Sequence, residues 1–423
     1  MKRILKPVFA FMLGLFARGV VRKYRPRIVM VTGSVGKTST KDAIATVLGE
    51  RFLARKSEKS FNSEFGVPFT ILGVGNPWGN PFAWASVIKN GLTLLLLPNH
   101  YPNLLVLEVG ADRPGDLARI LRIATPDAVV VTRLPDIPVH VEAYTSPEAV
   151  REEEFSPAYA LAPAAPLVVS ADDSHARRMA ARLPVRLITY GMAEDATIRV
   201  SDIDFYQSDG RVAGMQARAT VAGESVSLVV KGSVGKAQIP STAAALAAAL
   251  AFDIPLAEAA AALAGYVPPR GRGRILRGKN GSLIIDDSYN SSPAAVEIIL
   301  ATLKAFPHAK RRIAVLGDML ELGRYSVAEH ERIGALARAS ADLVIAVGIR
   351  ARAFVSQDEI GAMRFDDSRR AAVELSELAQ KGDVILVKGS QSVRMERIVE
   401  ALLVDPADVV HLVRQDKEWK RRA

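Results

Sequence analysis

Short apolar runs of strand length alternate with segments of helical spacing along most of the chain. RIVMVT, at 27–32, is a β-branched run, and TSTKDAIATVLGERF behind it carries its apolar residues at helical intervals. NLLVLE ending in Glu108, a β-branched run at 129–132, SLII reaching 285, and then RRIAVLG, ADLVIAVG and DVILVKG repeat the pattern, each apolar run closing on a glycine or polar turn. Strands alternating with helices in this way predict parallel α/β structure. VPPRGRGR at 267–274 interrupts the pattern and reads as a hinge. The expected organisation is a basic, apolar segment 1–27, a central P-loop-containing domain with a parallel sheet at 28–270, and a Rossmann-like α/β domain at 271–423 whose strand ends face the hinge.

The string GSVGK occurs twice, at 33–37 and at 232–236. The first copy lies between a strand and a helix. There the amides of Gly33, Ser34, Gly36 and Lys37 point at phosphate oxygens, Lys37 supplies a cation, and the Thr38 hydroxyl, followed by Ser39, is placed to ligate magnesium. The second copy follows ESVSLVV but leads into Ala237 and Gln238, with Pro240 in the opening turn of an alanine-rich helix. It has no hydroxyl for a metal, so it reads as a turn into a packing helix. One nucleotide site is expected, at 33–40.

Composition narrows the classes. The 423 residues contain no cysteine, which removes disulfide frameworks, thiolate zinc sites and cysteine nucleophiles and fits a reducing compartment, the cytoplasm. The net charge of +10 is concentrated: eight basic and no acidic residues stand in the first 27, against 47 basic and 45 acidic in the remainder. That balance speaks against nucleic acid as a partner. The N-terminal apolar run is about half as long as a spanning helix needs. A signal peptide, a helix lying in the membrane interface with Lys2, Arg3, Lys6, Arg18, Arg22 and Lys23 near head groups, and a helix packed on the protein's own surface or on a partner are the open alternatives.

Two further residues follow strand ends, where ligands bind in doubly wound sheets: Glu108, and His140 in the loop that also carries Glu142. With Thr38 they could complete a magnesium shell.

TGSVGKTSTKD, FNSEFGVPFTILG, LEVGADRPGDL, GRGR, DDSYNSSP, AVLGDMLELG followed by His330, and VKGSQSVRMERIVEAL resemble the Mur ligases over nearly the whole chain after residue 27. DDSYN and LGDMLELG most closely resemble the branch that adds a D-Ala-D-Ala dipeptide to a peptidoglycan precursor. The resemblance implies an ATP- and Mg2+-dependent carboxylate–amine ligase acting on small molecules, a cell-wall precursor and a dipeptide or amino acid. The acid attacks the γ-phosphate to give an acyl phosphate and ADP, and the amine then displaces phosphate. It implies catalytic roles for Lys37, Glu108 and His140, with Thr38 and Glu108 on one magnesium and His140 on a second. Arg272, Asp287 and Asn290 would reach the nucleotide from the C-terminal domain. Asn62 and Glu64 would line the substrate side, and Lys388, Ser390 and Arg394 the side that receives the amine. A monomer is expected, cytoplasmic, with peripheral membrane contact through residues 1–25.

Departures from the family are equally specific. Only about 27 residues precede the first strand, so the family's UDP-sugar domain is not expected, and a lipid-linked or shortened acid substrate is the corresponding expectation. Glu154 stands where the family has a carbamylated lysine, which makes it a candidate metal ligand; with Glu152 and Glu153 it could instead form a solvated helix face. Ala237, Gln238 and Ser241 replace asparagine and histidine residues near the nucleotide base, Arg133 replaces an asparagine, and NSSP replaces NANP. A Mur-like ligase for another acid or amino acid, and a catalytically silent ATP-binding relative, are the alternative readings.

Overall fold

The computed structural model describes residues 2–58, 60–77, 80–356 and 360–421, with side chains from Val8 onward, so the side chains of Lys2, Arg3 and Lys6 lie outside the described set. The first sheet contains β1 (Arg27–Thr32), β2 (Ala54–Lys56), β3 (Leu104–Glu108), β4 (Ala128–Val131), β5 (Pro166–Ser170), β6 (Arg186–Gly191), β7 (Ile198–Ser208), β8 (Arg211–Val221) and β9 (Glu224–Lys231). The second contains β10 (Arg274–Arg277), β11 (Leu283–Asp287), β12 (Arg311–Gly317), β13 (Leu343–Val347), β14 (Ala362–Phe365) and β15 (Asp383–Lys388).

In the first sheet the order is β2-β3-β1-β4-β5-β6-β7-β8-β9. β1 is buried at five of its six positions and lies between β3 and β4, parallel to both. The chain leaves β1 toward one edge and returns on the other side for β4. Its carboxyl end is therefore the switch point where a doubly wound sheet opens a crevice. The parallel expectation holds through β7. β8 and β9 are antiparallel, because Asp209-Gly210 and Ala222-Gly223 turn with positive φ in two residues, too few for a crossover.

The second sheet, ordered β10-β11-β15-β12-β13-β14, is parallel except for β10. One apolar cluster runs from the first sheet through the buried helix Gln238–Ala251 into Ile299, Phe306 and the second sheet, so the two lobes share a core.

Before β1, α1 (Lys2–Tyr24) buries Leu13, Ala17 and Val20, and α2 (Lys37–Leu48) follows β1. α1 lies against α3 (Gly66–Leu72) and α4 (Pro81–Leu96). Of the three readings of the N-terminal segment, its inner stripe thus supports packing on the protein's own surface. Among the described residues no helix is long and apolar enough to cross a membrane.

Candidate active site

The loop at 33–36 is shaped by its glycines. Gly33 takes φ 109° and a side chain there would meet Thr132 Oγ1 at 2.4 Å, while Gly36, at φ 88°, precedes α2 without any side-chain cap. The first amides of α2 are left to an anion, which the helix dipole favours. Lys37 turns back to donate to the carbonyl of Gly33.

These residues form one wall of a cavity of about 720 Å3 between the two lobes. Ser34, Gly36, Lys37, Thr38, Asn62, Glu108, His140 and Glu154 line it from the central lobe; Arg272, Asn290, Ser390 and Arg394 line it from beyond the hinge. The structure thereby gathers twelve expected positions that lie up to 360 residues apart in sequence. Gly33, Ser39, Glu64, Asp287 and Lys388 do not line it. Ser39 is buried, with its carbonyl accepting from Tyr266 Oη at 3.3 Å. Glu64 pairs with Arg119 at 3.1 Å. Lys388, 1% exposed, donates to Asp287 Oδ2 at 2.6 Å and to the carbonyl of Asn290 at 2.8 Å, so it shapes the loop that carries Asn290.

The expected magnesium residues are not assembled alike. Thr38 Oγ1 donates to Glu108 Oε1 at 3.2 Å, and Ser60 Oγ lies 3.0 Å from the same hydroxyl. Glu108 Oε2 is buried without a hydrogen-bond partner among the described residues. Burial pushes the Glu108 carboxyl up, against the pull of Lys41 and Lys37. An orphaned buried carboxylate oxygen beside two hydroxyls is a donor set that a hard cation satisfies, so the residues fit magnesium.

Among the described residues no three His, Asp or Glu side chains converge on one metal position. His140, at φ 67°, is engaged with Glu321 of the C-terminal lobe at 3.0 Å and with Asp112 at 3.4 Å. Burial pulls its pKa down, yet the hydrogen bond and charge of Glu321, with Asp112, leave it raised overall.

The three glutamates of the 146–154 segment have separate fates. Ser146 caps the helix Pro147–Tyr159. Glu152 accepts from Tyr159 Oη at 2.7 Å in solvent, and Glu153 accepts from the amides of Gly115 and Leu117 at 3.1 and 3.0 Å. Glu154, 2% exposed, accepts from Ser34 Oγ at 2.5 Å and lies 3.9 Å from Lys37 Nζ. Burial raises its pKa and Lys37 opposes the rise. The solvated-face alternative therefore describes Glu152, and Glu154 faces the cavity.

The second GSVGK loop holds the hinge. Ser233 Oγ and Gln238 Nε2 both donate to the carbonyl of Arg272, at 2.6 and 2.7 Å, and the amide of Val234 donates to the carbonyl of Gly273 at 2.7 Å. The Arg272 guanidinium then stacks over Tyr289, 4.3 Å from its centroid. A second cavity, of about 470 Å3, opens behind the first loop between Gly36, Thr40, Arg133, Tyr190, Ala237 and Ser241. Gln238 does not line it, being turned to Arg272. Sequence reasoning passed over Asp112, Tyr289 and Glu321 as site residues, although all three stand inside motifs it quoted; their partners belong to distant elements.

A two-lobed α/β fold with a glycine loop at a switch point, facing a second parallel sheet across a polar cleft, defines a phosphate-binding enzyme class. The Mur ligase middle domain model matches residues 31–249, and the Mur ligase, glutamate ligase domain model matches residues 271–391. The chain belongs to the Mur ligase family.

Within it, two similar bacterial proteins share a name. The UDP-N-acetylmuramoyl-tripeptide--D-alanyl-D-alanine ligase of Bacillus subtilis is 27% identical over 400 residues, covering 92% of this chain and 79% of that protein. Its Escherichia coli counterpart is also 27% identical, with the same coverage of each. The crystal structure of the MurF ligase from Thermotoga maritima in complex with ADP matches with a TM-score of 0.77 and 26% identity, over 93% of this chain and 83% of that one.

Proposed function

We propose that the protein is an ATP-dependent carboxylate–amine ligase of the MurF type, joining a D-Ala-D-Ala-like dipeptide to a peptidoglycan precursor. The observation that carries this reading is the convergence of Lys37, Thr38 and Glu108 with Arg272, Asn290, Ser390 and Arg394 on one cleft. The reading takes residues 28–270 as the nucleotide-binding domain and 271–423 as the domain that receives the amine. It also takes the protein to be a cytoplasmic monomer that touches the inner face of the membrane through residues 1–25.

The first loop and Lys37 would hold the ATP phosphates, and the cavity behind the loop would take the base beside Ala237 and Ser241. Magnesium, held by Thr38 and Glu108, would neutralise charge on the transferring phosphoryl group. Lys37, the loop amides and Arg272 fix the donor. Asn62 and the strand-end loops orient the acid, whose oxygen bonds to the γ-phosphorus as the bond to ADP breaks. Ser390 and Arg394 present the amine, which displaces phosphate and loses a proton as the amide forms. Enclosure between the lobes keeps water from the acyl phosphate.

The test is release of ADP and phosphate by the purified protein with ATP, magnesium, UDP-MurNAc-tripeptide and D-Ala-D-Ala, singly and together, with mass spectrometry of the products. Turnover that needs both substrates, yields the pentapeptide and is abolished in Lys37→Ala supports the reading. ATP consumption without that amide assigns the chain to another acid or amine, and intact ATP sinks the ligase assignment.

A further inference from the structure

α1 and α4 lie side by side and run parallel. Phe9 packs on Trp84 with ring centroids 4.7 Å apart, the space above Gly91 is filled by Phe16, and the space above Gly19 is filled by Leu95. At the far end Lys23 Nζ donates to the carbonyls of Leu94 and Leu97, at 2.8 and 2.7 Å. The two helices keep step over about four turns.

Both rest on the same support. α1 buries Leu13, Ala17 and Val20, and α4 buries Val87 and Leu94, in one apolar cluster. The opposite stripe of each helix therefore points to the same side. On α1 it reads Val8, Phe11, Leu15, Arg18, Arg22; on α4 it reads Phe82, Ala85, Lys89, Leu92, Leu96, and every one of these residues is exposed. Phe11 is 68%, Phe82 86% and Leu96 75% exposed. An apolar groove of about 510 Å3 runs along α4 past Leu92 and Leu96.

The charge on this face is of one sign. Neither residues 1–41 nor residues 65–107 contain an aspartate or glutamate. Two large rings and several leucines held out in water, with arginine and lysine in the same stripes and no carboxylate, match an interfacial surface for acidic lipid. A second copy seated on this face would oppose arginine to arginine, whereas lipid phosphates complement it.

We propose that α1 and α4 together form a membrane-docking face that lies flat on an anionic bilayer, with Phe11, Leu15, Phe82 and Leu96 at the head-group boundary and Arg18, Arg22 and Lys89 at lipid phosphates. This rests on the membrane contact proposed above for residues 1–25, not on the ligase chemistry, and adds a second helix that begins 66 residues beyond Leu15, the centre of the first stripe.

The test is flotation of the full-length protein with vesicles of phosphatidylcholine alone or mixed with phosphatidylglycerol, at low and high salt. Wild type is expected to float with the anionic vesicles only, and less at high salt. Phe82→Glu/Leu96→Glu is expected to cut the bound fraction roughly tenfold, the uncharged Leu96→Gln to cut it less, and Arg18→Glu/Arg22→Glu to abolish the preference for anionic lipid. Thermal melts of all three are expected to match wild type, since the side chains face solvent. Wild type that ignores anionic vesicles overturns both this face and the contact through residues 1–25. An α4 variant that floats like wild type while the α1 variant does not overturns only the two-helix face. Self-association that Phe82→Glu/Leu96→Glu abolishes, without lipid binding, overturns both in favour of a copy interface.

Discussion

Removing the ammonium of Lys388 tests whether the C-terminal half of the cleft is held by a buried ion pair. Lys388 ends β15 opposite Asp287, which ends β11, and their register sets ammonium against carboxylate. Burial pulls the Lys388 pKa down, and Asp287 works against that pull. In Lys388→Met the Asp287 carboxylate and the Asn290 carbonyl lose their shared donor. Breaking one side of a buried pair costs about 3–5 kcal/mol, and the orphaned carbonyl about 1–3, offset in part by burying the methionine chain. A net loss of about 3–5 kcal/mol is expected.

Asp287→Asn/Lys388→Met, which leaves no charge behind, is expected to regain at least half of that loss. The couple is read from urea unfolding followed by fluorescence of Trp419, whose ring lies 5.5 and 6.0 Å from the Arg394 and Arg414 guanidinium carbons in the same lobe. A single-variant loss below about 1 kcal/mol, or a double variant no better than the single, would refute the account.

Asp286 is fully buried with Oδ2 unpartnered among the described residues, and burial raises its pKa to about 6. A raised carboxylate binds its proton more tightly when folded. Wild type should therefore lose roughly 3 kcal/mol as pH climbs from about 4 to about 6, and Asp286→Asn should not. Melting temperatures of the pair across that window decide it, and a constant difference sinks it. Glu154→Gln removes a buried charge, so it should melt no lower than wild type while ADP formation falls at least roughly tenfold; unchanged turnover would remove Glu154 from the site. In Glu321→Gln the link to His140 is weakened. Because His140 is raised in the fold, the link stabilises fully below the ordinary histidine pKa and fades as pH rises through the raised value, so the melting difference from wild type should be larger at pH 6 than at pH 9.

The strand–loop–helix units could be read directly because continuous apolar runs and turn glycines are local signals. So could Lys37, Thr38 and Glu108, which need only a strand end and a loop to acquire meaning. The fates of Glu153 and Glu154 could not, because their neighbours, Gly115 and Ser34, come from other elements, whereas Glu152 meets Tyr159 two turns further along the same helix. Apolar residues stand on both faces of α1, so periodicity marks neither which face is buried nor that α4 would run beside it. The antiparallel β8–β9 extension was missed for another reason. Its strands alternate between buried and exposed, and what separates them from a parallel strand is the two-residue turn.

The clamp on residues 272 and 273 has a mechanical consequence. Their carbonyls are held by Ser233, Val234 and Gln238 of the central lobe, while one residue further on Arg274 enters β10 of the other sheet. Any rigid rotation between the lobes must pivot close to this point, and displacement grows with distance from a pivot. Arg272 therefore sits at the fulcrum and keeps its position whether the cleft is wide or narrow. Parts of the C-terminal lobe farther from the clamp make the longer travel.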